Sequence, residues 1–271
     1  MADQQEIVDT TLKRPRHEPL EEQGAGAAGQ EPVPRKKRQT LTNEEEVAVE
    51  LALREEVQKI AKHVTGRYKY VTMDLWAANV EGTQGSVGPI GLASALPWLL
   101  EGVDKQGKEL ICDMGCGNGY MIVIFKKLGY SAFGYELKIN KDQKGLFLSV
   151  LKHMKLEAND AVTQSGLEEF MVQNMNKVPE IPRKVTAAFA FWFGWKEKHL
   201  KIVLKLICAS NIRTLLCSNT RGFNSGKTFC DYLNKHTDKT RCIQWVLVKD
   251  FCIKMQGSET KHLYGIHAVI E

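Results

Sequence analysis

The strongest constraint on this 271-residue chain is the stretch Glu109-Leu-Ile-Cys-Asp113-Met-Gly115-Cys-Gly117-Asn118-Gly119. The apolar run Leu110 to Met114 is short and stops at turn residues, which predicts a buried strand. Three glycines follow at alternate positions, and Tyr120-Met-Ile-Val-Ile-Phe-Lys-Lys-Leu128 predicts a helix. Strand, glycine-rich turn and helix, in that order, present bare backbone and a helix N-terminus to a nucleotide-like ligand.

The side chains around the turn narrow the choice of ligand. A dinucleotide fingerprint needs a third glycine three residues after the second, for helix–strand packing; Tyr120 stands there. Asp113 closes the strand, and a carboxylate beside a pyrophosphate is repelled in a low-dielectric cleft. The same carboxylate suits a ligand bearing an ammonium and a sulfonium, as S-adenosylmethionine does. The second short strand, Ser131 to Tyr135, ends in Glu136, 17 residues after Gly119. An acid at that place can accept both ribose hydroxyls. The bland alternative is a glycine turn beside an incidental surface acid.

From roughly Gly82 to the C-terminus the pattern resembles class I methyltransferases. That resemblance implies an α/β fold with a Rossmann-like, seven-stranded mixed sheet closed by a hairpin. It also implies S-adenosylmethionine as cofactor, bound by Asp113, Gly115, Gly117, Asn118, Gly119 and Glu136.

Composition removes several other classes. No apolar run reaches the ~20 residues of a membrane helix, and the first 45 residues are polar, without a secretory pattern. The seven cysteines are scattered and form no CxxC pair, so neither a metal site nor a disulfide framework is expected. Charge is uneven: residues 1–41 carry seven basic and seven acidic groups, residues 42–66 sum to −3, and residues 67–271 keep +8 of a chain total of +5. A basic body favours polyanionic partners such as nucleic acid or a nucleosome, the alternative being a solubilising lysine surface.

Three segments are expected. Residues 1–41 read as a disordered tail with two basic clusters, Lys13-Arg14-Pro15-Arg16 and Arg35-Lys36-Lys37-Arg38, which point to the nucleus. Residues 42–100 read as a helical cap region. Its first helix starts at a capping box, Thr42 to Glu45, and stops near Gly66; its second runs from Pro89 to Leu100. Residues 101–271 form the cofactor-binding domain. A third strand is expected at Ala161 to Gln164, a fourth at Val185 onward, a fifth at Ile212 to Ser218, and two closing strands at Cys242 to Phe251 and His262 to Ile270.

The fourth strand leaves into Phe189-Ala-Phe191-Trp192-Phe193-Gly-Trp195. Ligands bind at the carboxyl ends of strands in such sheets, so this end faces the methyl acceptor. The Asn/Asp-Pro-Pro-aromatic tetrapeptide of many base and amide methyltransferases is missing, and aromatic walls suit a lysine stem and its cation. Packing against the next helix is the competing role, chiefly for Phe189 and Phe191.

The missing tetrapeptide, the tail and Phe189-Ala-Phe191 together resemble the disruptor-of-telomeric-silencing family, the histone lysine methyltransferases without a SET domain, in its compact kinetoplastid form. Ala187-Ala188 replaces that family's two asparagines, and Gln84-Gly85-Ser86 stands in place of its loop motif. The resemblance implies a histone or nucleosome partner. It places Gln84 over the cofactor, with Phe191, Trp192 and Trp195 as the catalytic aromatic wall. An RNA methyltransferase and a cofactor-binding module without catalysis are the other readings.

Overall fold

The computed structural model describes residues 43–72, 87–136, 141–157, 159, 170–172, 178, 180–192, 195–220, 222–254 and 260–270. In chain order the elements are α1 (Asn43–Thr72), α2 (Pro89–Leu100), β1 (Leu110–Met114), α3 (Tyr120–Lys127), β2 (Ala132–Glu136), α4 (Lys141–His153) and β3 (Phe170–Val172). They continue with β4 (Val185–Ala190), α5 (Glu197–Ala209), β5 (Thr214–Ser218), α6 (Gly226–His236), β6 (Ile243–Lys254) and β7 (Thr260–Ile270).

The strands form one seven-stranded sheet in the order β3-β2-β1-β4-β5-β7-β6. β3, β2, β1, β4 and β5 are parallel, and β7 runs antiparallel between β5 and β6. This is a Rossmann-like mixed sheet, five parallel strands closed by a hairpin with one antiparallel strand. The strand order reverses beside β1, so the crevice at the carboxyl ends of β1, β2 and β4 is where such a sheet takes a ligand.

Each face of the sheet has its own core. Ile111, Ala187, Phe189, Leu216 and Leu263 pack with α1 to α4; Leu110, Cys112, Met114, Ala188, Leu215 and Cys217 pack with α5 and α6. Two bulges make this possible. Leu110 pairs with Val185 but Ile111 pairs with Ala187, so Thr186 is an extra residue in β4. Val185 and Ala188 therefore share a face despite their odd spacing. In β6 the register shifts between Leu247 and Lys249, so Trp245 packs toward α6 while Ile253 packs toward α2.

Several boundaries differ from expectation. α1 continues through Gly66 to Thr72. Glycine inside a helix costs only about 1 kcal/mol, and Val57, Ala61 and Val64 bury the helix in the same core as α2 and α3. The low cost of one exposed glycine lets the helix run on past the local stop signal. The two helices of the expected cap region thus share a core with the sheet. The described third strand is Phe170–Val172; the expected run 161–164 and the capping residue Thr42 lie outside the described residues. Among the described residues no helix is long and apolar enough to cross a membrane.

Candidate functional site

β1 ends with Asp113 and Met114, and the chain turns at once through the glycine loop. The amides of Gly115 and Cys116 both donate to the carbonyl of Tyr135, at 2.9 and 3.0 Å, which seats the loop on the end of β2. This close approach explains a glycine inside β2: a Cβ on Gly134 would lie 2.5 Å from Cβ of Cys116. A lone glycine within a strand signals such an approach, and it is the clue in this region that sequence reading overlooked.

Gly115, Gly117 and Gly119 all have positive φ, at 95°, 55° and 80°. Their surroundings differ. A Cβ on Gly115 would lie 2.8 Å from Cζ2 of Trp195, and one on Gly119 would strike the ring of Phe147. A Cβ on Gly117 would meet nothing within 4 Å. The middle of the loop is therefore the open part, braced by aromatic rings on either side.

Glu136 closes β2, and its Oε2 accepts the amide hydrogen of Gly117 at 2.6 Å. The two acids of the motif thus converge on one loop. Asp113 is 2% exposed, so its carboxylate is almost wholly withdrawn from water. Burial raises its pKa well above the usual carboxylate range, and the nearby charge of Glu136 raises it further. A buried carboxylate beside a second acid is relieved by a nearby cation. Tyr120, at the third-glycine position of a dinucleotide fingerprint, faces α1: its hydroxyl lies 2.8 Å from Oγ1 of Thr65.

The aromatic run after β4 separates into different roles. Phe189 is core, with its ring edge-on to Phe125 at a centroid distance of 6.4 Å. Phe191 is partly buried against the same core. Trp192, expected in the catalytic wall, is fully buried. Its indole Nε1 donates to the carbonyl of Met114 at 3.2 Å, and its backbone amide donates to Oγ of Ser218 at 2.9 Å. It ties the ends of β4, β1 and β5 together and has no surface to offer an acceptor. The expectation fails because a tryptophan in an exit loop reads the same from sequence whether it turns in or out.

Trp195 remains half-buried, its ring against Gly115 and 6.3 Å from that of Trp192. Of the cofactor residues expected, Asp113, Gly115, Gly117, Asn118, Gly119 and Glu136 lie in or beside the one loop. Gln84, its loop neighbours Thr83 to Ser86, and Phe193 lie outside the described residues. Among the described residues no cluster of His, Cys, Asp or Glu could hold a metal ion.

These features fit S-adenosylmethionine: a buried carboxylate for its cationic end, an open backbone bend, and an acid at the end of the neighbouring strand for its ribose. No protein-family model and no curated protein matches the chain. Among solved structures it is similar to magnesium protoporphyrin IX methyltransferase from Synechocystis PCC 6803 with bound S-adenosylmethionine, at 12% identity and a TM-score of 0.47, covering 77% of this chain and 96% of that one. An rRNA methylase from Streptococcus thermophilus is similar at 14% identity and a TM-score of 0.42, covering 66% and 96%. For geranyl diphosphate C-methyltransferase from Streptomyces coelicolor A3(2) the values are 14% identity, a TM-score of 0.38, and 59% and 73% coverage.

Proposed function

We propose that this protein is an S-adenosylmethionine-dependent methyltransferase whose acceptor is a lysine amine of a nucleosomal histone. The observation that carries the reading is the convergence of two acids on one glycine loop, with Glu136 2.6 Å from the amide of Gly117. S-adenosylmethionine supplies a methyl on a sulfonium, and the acceptor nitrogen takes it while the sulfur keeps the bonding pair and becomes the neutral thioether.

The chain's own residues bind, orient and desolvate. Asp113 neutralises the cationic end of the donor, Glu136 accepts from the ribose hydroxyls, and the backbone at Gly117 leaves room for the donor. Preorganised groups of this kind supply most of the rate in a reaction that needs no covalent enzyme intermediate. The acceptor amine, with a free pKa of ~10.4, must lose its proton before it attacks. An apolar approach past Phe191 favours the neutral form by removing water.

Three features support a histone acceptor: the body's net +8, the two basic clusters of the tail, and the aromatic exit of β4 in place of a Pro-Pro tetrapeptide. The body charge would hold nucleosomal DNA, and such binding weakens steeply with salt. The tail clusters suit nuclear import. Label transfer from S-adenosylmethionine to nucleosomes, core histones or total RNA tests the reading. Labelled histone lysine is expected. Label in RNA alone would replace the acceptor, and label nowhere with binding intact would leave a cofactor-binding module.

A further inference from the structure

We propose that Trp195 distinguishes the cationic methyl donor from its neutral product, by presenting the face of its indole to the sulfonium. The proposal rests on the donor site proposed above and assigns that site a specificity-determining residue.

The geometry comes from three observations. The indole stands on the glycine loop itself, with Cζ2, Cε2 and Cη2 within 2.8, 3.4 and 3.7 Å of where a Cβ on Gly115 would be. Its backbone is fixed, since the amide of Trp195 donates to the carbonyl of Trp192 at 3.1 Å and Trp192 is anchored in the core. It is also only half-buried. Sheet order supplies the direction. β1 lies between β2 and β4, so Glu136 at the end of β2 stands on one side of the loop, and the chain leaving β4 brings Trp195 to it from the other. A donor with its ribose at Glu136 and its body over Gly117 points its sulfur across the loop toward the indole.

A cation over an indole face is attracted by the ring's quadrupole, and tryptophan gives the largest such effect. A neutral thioether of the same shape gains nothing from it. Methyl transfer removes the charge, so the ring holds the donor and releases the product. A ring that merely packs on Gly115 would treat the two ligands alike, and the ratio of their affinities separates the roles.

The test is calorimetric titration of the full-length protein with S-adenosylmethionine and with S-adenosylhomocysteine, for wild type, Trp195→Phe and Trp195→Leu. Trp195→Leu is expected to weaken the donor by about two- to thirty-fold, the range a cation–π contact contributes, with the product little changed. Trp195→Phe keeps an aromatic face and should keep most of the ratio. Equal weakening of both ligands, or of neither, would overturn the proposal. Wild-type protein that binds neither ligand would overturn the donor site itself, and the assignment with it. Protein made with fluorinated tryptophans gives the same answer without a variant. Fluorine drains the ring face, so donor affinity should fall relative to product, and an unmoved ratio would contradict the proposal.

Discussion

The sheet ends differently on its two sides. At the ends of β1 and β2 it finishes in backbone and carboxylates: Asp113 is buried beside the charge of Glu136, and the space beside Gly117 is open. At the ends of β4 and β5 the tryptophan and backbone bonds are already made, and the buried Oδ1 of Asn219 is the polar atom left over among the described residues there. Trp192 spends its indole N–H on Met114 and its amide on Ser218, and the amide of Asn219 donates to the carbonyl of His262 at 3.1 Å. The first side is built to receive a charged ligand. The second is built to hold strands together, leaving Phe191 and Trp195 to meet whatever approaches. A donor site can be assembled from one turn and the next strand, whereas an acceptor site needs a frame.

The comparison can be broken most sharply at Gly117. Gly117→Arg places a long cation in the open part of the loop, and donor binding should fall to background in calorimetry. The positive φ costs a non-glycine residue about 1–2 kcal/mol, so the variant should still melt cooperatively. Retained binding would remove the loop from the site. On the other side, Trp192→Ala should cost about 3–5 kcal/mol of stability in denaturant unfolding, because it empties a filled core position and leaves the carbonyl of Met114 without its donor. A loss of activity with unchanged stability would instead make Trp192 an acceptor contact.

Asp113 gives a smaller and more specific effect. Its raised pKa, from burial first and Glu136 second, means the folded protein holds that proton more tightly than the unfolded chain. Stability of the ligand-free protein should therefore fall as pH rises from the ordinary carboxylate range through the raised pKa. Donor binding should tighten over the same window, with proton release. Asp113→Asn should weaken the donor about ten- to a hundredfold at neutral pH, the scale of a hydrogen bond to a charged group, and should flatten both trends. The smallest change is Ser218→Ala, expected to cost about 1 kcal/mol of stability without altering donor affinity. A fall in donor affinity would show that the β5 end reaches the cofactor.

The two sides also differ in how far they could be read from residues alone. β1, its loop, the end of β2 and the helix Pro89–Leu100 follow from local spacing: an apolar run, alternating glycines, an acid one strand later, a proline at a helix start. The closing hairpin was legible for the same reason. The role of Trp192 was not, because its partners Met114 and Ser218 are 78 and 26 residues away and nothing local signals them. α1 runs past Gly66 because a single exposed glycine costs only about 1 kcal/mol and is a weak stop on its own. The bulge at Thr186 was hidden too: Val185-Thr-Ala-Ala-Phe189 does not show which residue is the extra one until its partner strand is present.

The central claim is that a cationic methyl donor lies across the glycine loop between Asp113 and Glu136. The most direct measurement is a crystal structure of the complex with S-adenosylhomocysteine. The expected result has the ribose hydroxyls within hydrogen-bond distance of the Glu136 carboxylate and the methionine portion across Gly117, toward the indole of Trp195. Ligand found elsewhere, or a loop whose open side is filled by protein in the complex, would contradict it.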